Sequence, residues 1–374
     1  MKSSTPTNPT TSDNTLYVGM DTHKASTTFY ASDLYGNNAF NHTVRGNWRQ
    51  AVDYLKTLKQ PLSICFEASL SYGPIHDVLT PLAKVTVAHP GKLRLIYQAS
   101  KKSDRVDAQK LNKLLRLNEV PTVHVPNQDQ RTRRRLVEFR RTTMDKRTRV
   151  KNQIRAVLRQ YAISVPKPVG GLWTKAGIQW LKKMQWPTAM IGTMIQYHMS
   201  EIELLDTQLA ALTQQLDALL QDDPRAALLM AIPGVGPRTA EAYLAYLDTP
   251  HRFAKGKQVG NYFDLVPKED SSGDTRRLGR ITKDGPGTVR KLLVEAAWQL
   301  VRRDPAMHER FERMHQGRQD RRKRAIVGIA RHLSVAMWAM LKHGETWNPR
   351  RLPRQTPVAP GTPETENHES QAAA

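Results

Sequence analysis

Between residues 15 and 125, short apolar runs alternate with amphipathic stretches. "TLYVGMD" is an apolar run that ends in an acid. "ASTTFYASDLYGN" reads as a strand leading into a Gly/Asn turn, and "FNHTVRG" as a third strand, so the opening predicts an antiparallel meander. Ala51, Val52, Leu55 and Leu58 recur at helical spacing and predict a helix from Trp48 to Leu58. "PLSICFEAS" is a buried strand that again ends in an acid, and "KVTVAH" is one more strand. "SDRVDAQKLNKLLRL" then predicts a helix with Ser103 as its N-cap. Three strands, helix, strand, helix, strand, helix is a mixed α/β layer order.

Beyond residue 126 the pattern turns helical. From Thr188 to Leu220, Ile195, Ile202, Leu209 and Leu216 stand seven apart, and Ile191, His198, Leu205, Leu212 and Leu219 form a second row. That heptad predicts a coiled coil, closed within the chain or between chains, with His198 in the seam as a polar register-setter or a partly exposed residue. "LLMAIPGVGPRTAEAYLAYL" places two helices around Pro233-Gly234-Val235-Gly236, a helix-hairpin-helix-like pattern whose glycines and helix-opening amides suit a phosphate. Ile326, Ile329, Leu333, Met337 and Leu341 form the core stripe of a last helix behind a basic cluster. Residues 1–14 and 346–374 are too poor in apolar residues to repay ordering. The expected organisation is a tail (1–14), an α/β domain (15–125), a basic helix with a coiled coil (126–225), a mainly helical domain (226–345) and a second tail (346–374).

Charge sharpens the picture. The 374 residues hold 57 Lys+Arg against 34 Asp+Glu, a net charge of +23. Neutralising phosphates releases counterions, so a polyanionic partner, nucleic acid, is expected. Residues 131–160 concentrate it, with twelve Lys/Arg against Glu138 and Asp145. Arg133, Arg134, Arg135, Arg140, Arg141, Arg147 and Lys151 of this run are expected on phosphates. So are Gly234, Gly236 and Arg238 at the hairpin, and Arg276, Arg277, Arg280 and Lys283 in a later Gly/Ser-rich basic stretch. No apolar run approaches the roughly 20 residues of a spanning helix, and the start lacks a signal-peptide core, so a cytosolic, nucleoid-associated protein with no membrane partner is expected. Cys65, the single cysteine, excludes an internal disulfide and a multi-thiolate zinc site.

The acids follow a pattern of their own. Asp21 ends the first strand, Glu67 ends the fourth, and Asp104 and Asp107, three apart, share one face of the last helix of this region. Strand ends in α/β sheets converge where sites are built. Carboxylates gathered there repel one another unless cations lie between them, and hard oxygen donors select Mg²⁺, with Mn²⁺ as the alternative.

"YVGMDTHK", "CFEASLSYG" and "KKSDRVDA" resemble the three acidic motifs of the RuvC-like, RNase H-fold domain in DEDD transposases of bacterial insertion sequences, the group described as bridge-RNA-guided recombinases. "IPGVGPRTA", "LVPKEDSSGDTRRLGRITKDG" and "VRKLLVEAAW" resemble the C-terminal transposase domain of that family. The resemblance covers about residues 15–345. It implies an RNase H-like mixed-sheet domain with Asp21, Glu67, Asp104 and Asp107 as catalytic, Mg²⁺-binding carboxylates, a helical insertion and a mainly helical C-terminal domain. It further implies a serine nucleophile at Ser272, with Ser271 as the alternative, which links covalently to DNA. The implied partners are element and target DNA, a non-coding guide RNA, and further copies of the chain in a dimer or tetramer. Two positions depart from the family: Leu70 and Asp264 stand where glycine is usual.

Residue chemistry alone also allows a metal-dependent junction resolvase or nuclease that uses water in place of serine. A nucleic-acid-binding scaffold whose acids are structural is the third reading.

Overall fold

The computed structural model describes residues 14–96, 103–269 and 277–349. They fall into two compact units, divided between Asp129 and Gln130.

The first unit is built on a five-stranded sheet. Strands β1 (Leu16–Thr22), β2 (Ser26–Ser32) and β3 (Asn38–Arg45) form the expected meander. Helix α1 (Trp48–Lys56) leads to β4 (Leu62–Glu67), α2 (Tyr72–Leu79) to β5 (Ala83–Ala88), and α3 (Pro90–Ile96) precedes α4 (Asp104–Arg116). The strand order is β3-β2-β1-β4-β5, with β1, β4 and β5 parallel. This mixed sheet with crossing helices agrees with the RNase H-like class expected from the motifs.

Alternation along the strands sorts the two faces. Val18, Met20, Phe29, Ile64 and Phe66 point to one side, where they meet Val52 and Leu55 of α1 and Ile75 and Leu79 of α2 in a dry core. Fully burying such a side chain contributes roughly 1.5–3 kcal/mol. The opposite face takes α4, whose Leu111 and Leu115 pack with Cys65 and Ala88.

Two features dock α4 on β1. A Cβ on Gly19 would lie 1.9 Å from the Ala108 carbonyl oxygen and 2.6 Å from the Asn112 nitrogen, so the helix backbone rests directly on this glycine. Asn112, 1% exposed, donates from Nδ2 to the Tyr17 carbonyl at 2.6 Å and accepts at Oδ1 from the Ser32 hydroxyl at 3.0 Å. Gly19→Ala therefore places a methyl against unyielding backbone. It is expected to cost roughly 3 kcal/mol or more, read as a lowered Tm; an unchanged Tm would show that the helix does not sit on β1 this closely.

In the second unit, α5 (Gln128–Gln160) and α7 (Ala189–Gln221) are each 33 residues long, with α6 (Lys175–Lys183) between them. Val150, Ile154 and Leu158 of α5 pack with Ile195, Met199, Ile202 and Leu205 of α7 and Leu181 of α6. Arg147 Nε reaches Asp206 Oδ1 at 2.7 Å and Arg140 Nε reaches Thr213 Oγ1 at 3.0 Å. The partners descend one helix as they climb the other, so the pair is antiparallel and this seam closes within the chain. Ile195, Ile202, Leu209 and Leu216 are buried as the heptad predicts. Met199 replaces His198 in the second row because it is the apolar member of that pair; the imidazole is partly exposed, 3.9 Å from Glu201.

The remaining elements are α8 (Pro224–Met230), α9 (Pro237–Leu247), α10 (Gly256–Tyr262), the short strands β6 (Pro267–Glu269) and β7 (Leu278–Ile281), α11 (Gly287–Arg303), α12 (Pro305–His315) and α13 (Arg322–His343). Val137, Leu216 and Leu220 join Leu229, Tyr243, Leu293, Ile329 and Leu333 in one core. Residues on both sides of position 225 therefore share it. Contrary to the expectation from the bare sequence, one segment, Gln319–His343, is long and apolar enough by composition to cross a membrane. More than half of its most apolar stretch is buried, with Ile326, Ile329, Leu333 and Met337 in this core, as suits the central helix of a helical domain.

Candidate functional site

Parity along the strands assembles the acids. Asp21 follows Gly19 and Tyr17 on the α4 side of β1, and Glu67 follows Cys65 on the same side of β4. Met20 pairs with Phe66, so Asp21 and Glu67 occupy neighbouring positions at the carboxyl ends of parallel strands. The close approach of α4 at Gly19 brings the first turn of that helix, with Asp104 and Asp107, to the same end of the sheet. Ser103 caps the helix as expected, accepting from the Val106 amide at 3.3 Å.

The carboxylates are not equivalent. Asp21 is the least exposed, at 16%, and burial raises its pKa. Nearby His23 opposes the rise, while the charges of Asp104 and Asp107 add to it. Like charges around a half-buried carboxyl are the condition a bound cation relieves. Asp107 is ion-paired with Lys110 at 2.9 Å, and Glu67 lies at the exposed end of β4.

One residue escaped the sequence pattern. His23 Nε2 lies 3.2 Å from Asp21 Oδ2 and 3.4 Å from Asp104 Oδ1. Asp21, His23 and Asp104 present donor atoms that all fall within 4.8 Å of one another, the one such group found among the described residues. The available signal was the spacing Asp-x-His at the strand end. The donor set fits a divalent cation, with Asp21 and Asp104 as its nearest holders and Glu67 and Asp107 flanking them.

In the second unit, Ser271, Ser272 and Arg276 lie outside the described residues. They fall between β6 and β7, whose ends define the base of the segment. Arg277, Arg280 and Lys283 are exposed there. Just before β6, Asp264 is 1% exposed with φ +56°, the left-handed region that favours glycine and, after it, Asn and Asp. Its carboxylate accepts from the Thr282 hydroxyl and from Arg290 Nη1 at 2.5 Å. The aspartate thus adopts a backbone path that glycine would take without strain, and it ties the residue after β7 to α11.

Gly234, φ +92°, has a packing duty, since a Cβ there would meet Gln299 Cβ at 2.7 Å and the Ala296 carbonyl oxygen at 3.0 Å on α11. Gly236, the N-cap of α9, faces open space. Arg238 commits its guanidinium to Asp217 and Glu241.

The basic run of α5 divides in two. Arg133 pairs with Asp223, and Arg134 donates to the Ala245 and Tyr246 carbonyls near the end of α9. Arg140 bonds Thr213, Arg141 holds Glu138 and Asp145, Arg147 pairs with Asp206, and Lys151 lies over the Trp173 ring. These side chains already have partners inside the chain. Arg135, Lys146 and Arg149 are exposed, with no such partner among the described residues. At 100° per residue they share one face of the helix with Phe139, which is 51% exposed.

The sequence matches a DEDD-type transposase domain over residues 18–163 and the domain described as "Transposase IS116/IS110/IS902 family" over residues 226–312. It is 23% identical to the transposase for insertion sequence element IS1111A of Coxiella burnetii, over 88% of this chain and 90% of that one. A probable family 20 transposase of Pseudomonas aeruginosa is 26% identical over 68% of this chain and 76% of its own. The pilin gene-inverting protein of Moraxella lacunata is 27% identical over 34% of this chain and 39% of its own.

Proposed function

Because this chain belongs to the IS116/IS110 family of DEDD insertion-sequence transposases, we propose that it cuts and rejoins DNA through a covalent phosphoserine link, with Mg²⁺ at the Asp21 carboxylate cluster. The observation that carries the proposal is the gathering of Asp21, Asp104 and their flanking acids at one end of the sheet. A divalent cation held there would offset charge building on the scissile phosphate. Asp21 and Asp104 would hold that ion, and α4 keeps the two aspartates together.

Ser272 is the assigned nucleophile. Its oxygen bonds to phosphorus as the bond to the 3′ oxygen breaks, and the hydroxyl proton is lost to solvent while the leaving oxygen gains one. The energy of the phosphodiester is kept in the serine link, so rejoining needs no nucleotide cofactor, consistent with the lack of a Walker A pattern. A non-coding RNA paired with element and target DNA would supply sequence choice, with the protein contacting backbone and shape. The similarity to a gene-inverting protein is in keeping with a cut-and-rejoin reaction.

The test is the purified protein with DNA carrying the element ends, cognate RNA and Mg²⁺, resolved on a denaturing gel. A protease-sensitive protein–DNA adduct is expected. Cut ends without an adduct would transfer the assignment to a water-using nuclease.

Among the basic residues, Arg135, Lys146 and Arg149 are assigned to nucleic-acid phosphates because no other group among the described residues neutralises them. Replacing all three with alanine should leave Tm nearly unchanged. The dependence of log affinity on log salt should become shallower by about 0.9 for each phosphate that is no longer neutralised. Arg134→Ala, by contrast, should lower Tm because it uncovers the α9 carbonyls. A salt dependence untouched by the triple change would refute the assignment.

A further inference from the structure

We infer that His23 is a ligand of the cation held by Asp21 and Asp104, giving the site a nitrogen donor that the four carboxylates lack. The inference rests on the metal reading above. Octahedral coordination at about 2.1 Å sets adjacent donors about 3 Å apart. Nε2 of His23 is 3.2 Å from one carboxylate oxygen and 3.4 Å from the other, and all three atoms fit within 4.8 Å. One nitrogen almost equally distant from two oxygens is the spacing of three donors around a common point. The contact to Asp21 Oδ2 also has hydrogen-bond geometry, and the Asp104 oxygen completes the group of three donors.

The backbone supports the placement. The His23 amide donates to the Ser26 carbonyl at 2.8 Å, closing the turn between β1 and β2 and fixing the residue two positions beyond Asp21. The ring is 55% exposed, so it is not held in place by burial. Its partners here are the two acids.

A nitrogen ligand changes which ion the site prefers. Mg²⁺ is best served by oxygen and water, whereas Mn²⁺ and the later divalent metals accept imidazole readily. The site should therefore bind Mn²⁺ more tightly than an all-carboxylate site would, and His23 should account for the difference.

The experiment uses the full chain with Mn²⁺ alone, followed by electron paramagnetic resonance. Pulsed spectra of the loaded wild type should show modulation from a directly bound ¹⁴N, absent in His23→Ala. Affinity for Mn²⁺ should fall about tenfold in that variant while affinity for Mg²⁺ changes within about threefold. His23→Gln, which keeps a polar side chain at this exposed position, should likewise lose the nitrogen signal, and its Tm checks that the fold persists. Mn²⁺ bound without nitrogen modulation, or modulation that survives in both variants, would overturn the role of His23 and leave the carboxylate site standing. Mn²⁺ binding no tighter in the wild type than in Asp21→Asn would overturn the metal reading itself.

Discussion

Asp21→Asn is expected to reduce DNA cleavage by about three orders of magnitude or more, the equivalent of roughly 4 kcal/mol of transition-state stabilisation. The substitution keeps the shape of the side chain and removes its charge. Asp21 is the most enclosed of the acids, so no neighbour can take over its place at the end of β1. Folding should be preserved. Burial and the charges of Asp104 and Asp107 raise the Asp21 pKa, so the native site disfavours the ionised carboxylate and a neutral amide relieves that repulsion. A cleavage assay paired with a thermal melt separates the two effects: activity is lost while Tm stays level or rises. Asp104→Asn should behave in the same way. If both variants keep full activity, the acids are structural and cleavage does not depend on a cation held by them.

Ser272→Ala should abolish the protein–DNA adduct, a loss of at least about 10⁴-fold, because no other group replaces the attacking oxygen. Binding of the same DNA should persist, since the variant removes a hydroxyl and no charge. Ser271→Ala should retain the adduct. The two single variants therefore separate the assignment of Ser272 from the alternative, Ser271. An adduct lost with Ser271→Ala and kept with Ser272→Ala would exchange the assignments. Cleavage undiminished in both variants would favour the water-using nuclease.

Legibility varied with the range of the interaction. The five strands of the first unit and the helix from Thr188 were visible as apolar periodicities, and the Ser103 cap as a local signal, because each is set by neighbours a few residues away. The same periodicity set His198 in the second row as a polar or partly exposed residue; the structure leaves it partly exposed and buries the neighbouring Met199. Charge was read less well. Twelve cations in a row suggested one phosphate-binding surface, but Arg133, Arg134, Arg140, Arg141 and Arg147 find acids, hydroxyls and carbonyls within the second unit, several of them far along the chain. Asp264 illustrates the reverse. The motif marked it as an unusual residue at a glycine position, and the left-handed backbone, together with Thr282 and Arg290, accounts for how it is accommodated.

For the site, the sequence by itself determined the positions of the acids: a strand that ends at Asp21, a second that ends at Glu67, and a helix that opens with Asp104 and Asp107. The register between β1 and β4, a tertiary feature, then placed Asp21 and Glu67 side by side. Only the tertiary structure decided that their face is the one α4 covers, and that Gly19 lets the helix approach until Asp104 and Asp21 converge on His23. The physical reason is that strand and helix patterns follow from local backbone geometry. The approach of α4 to β1 depends on packing between distant segments, such as Asn112 against Tyr17, 95 residues apart, which no local pattern encodes.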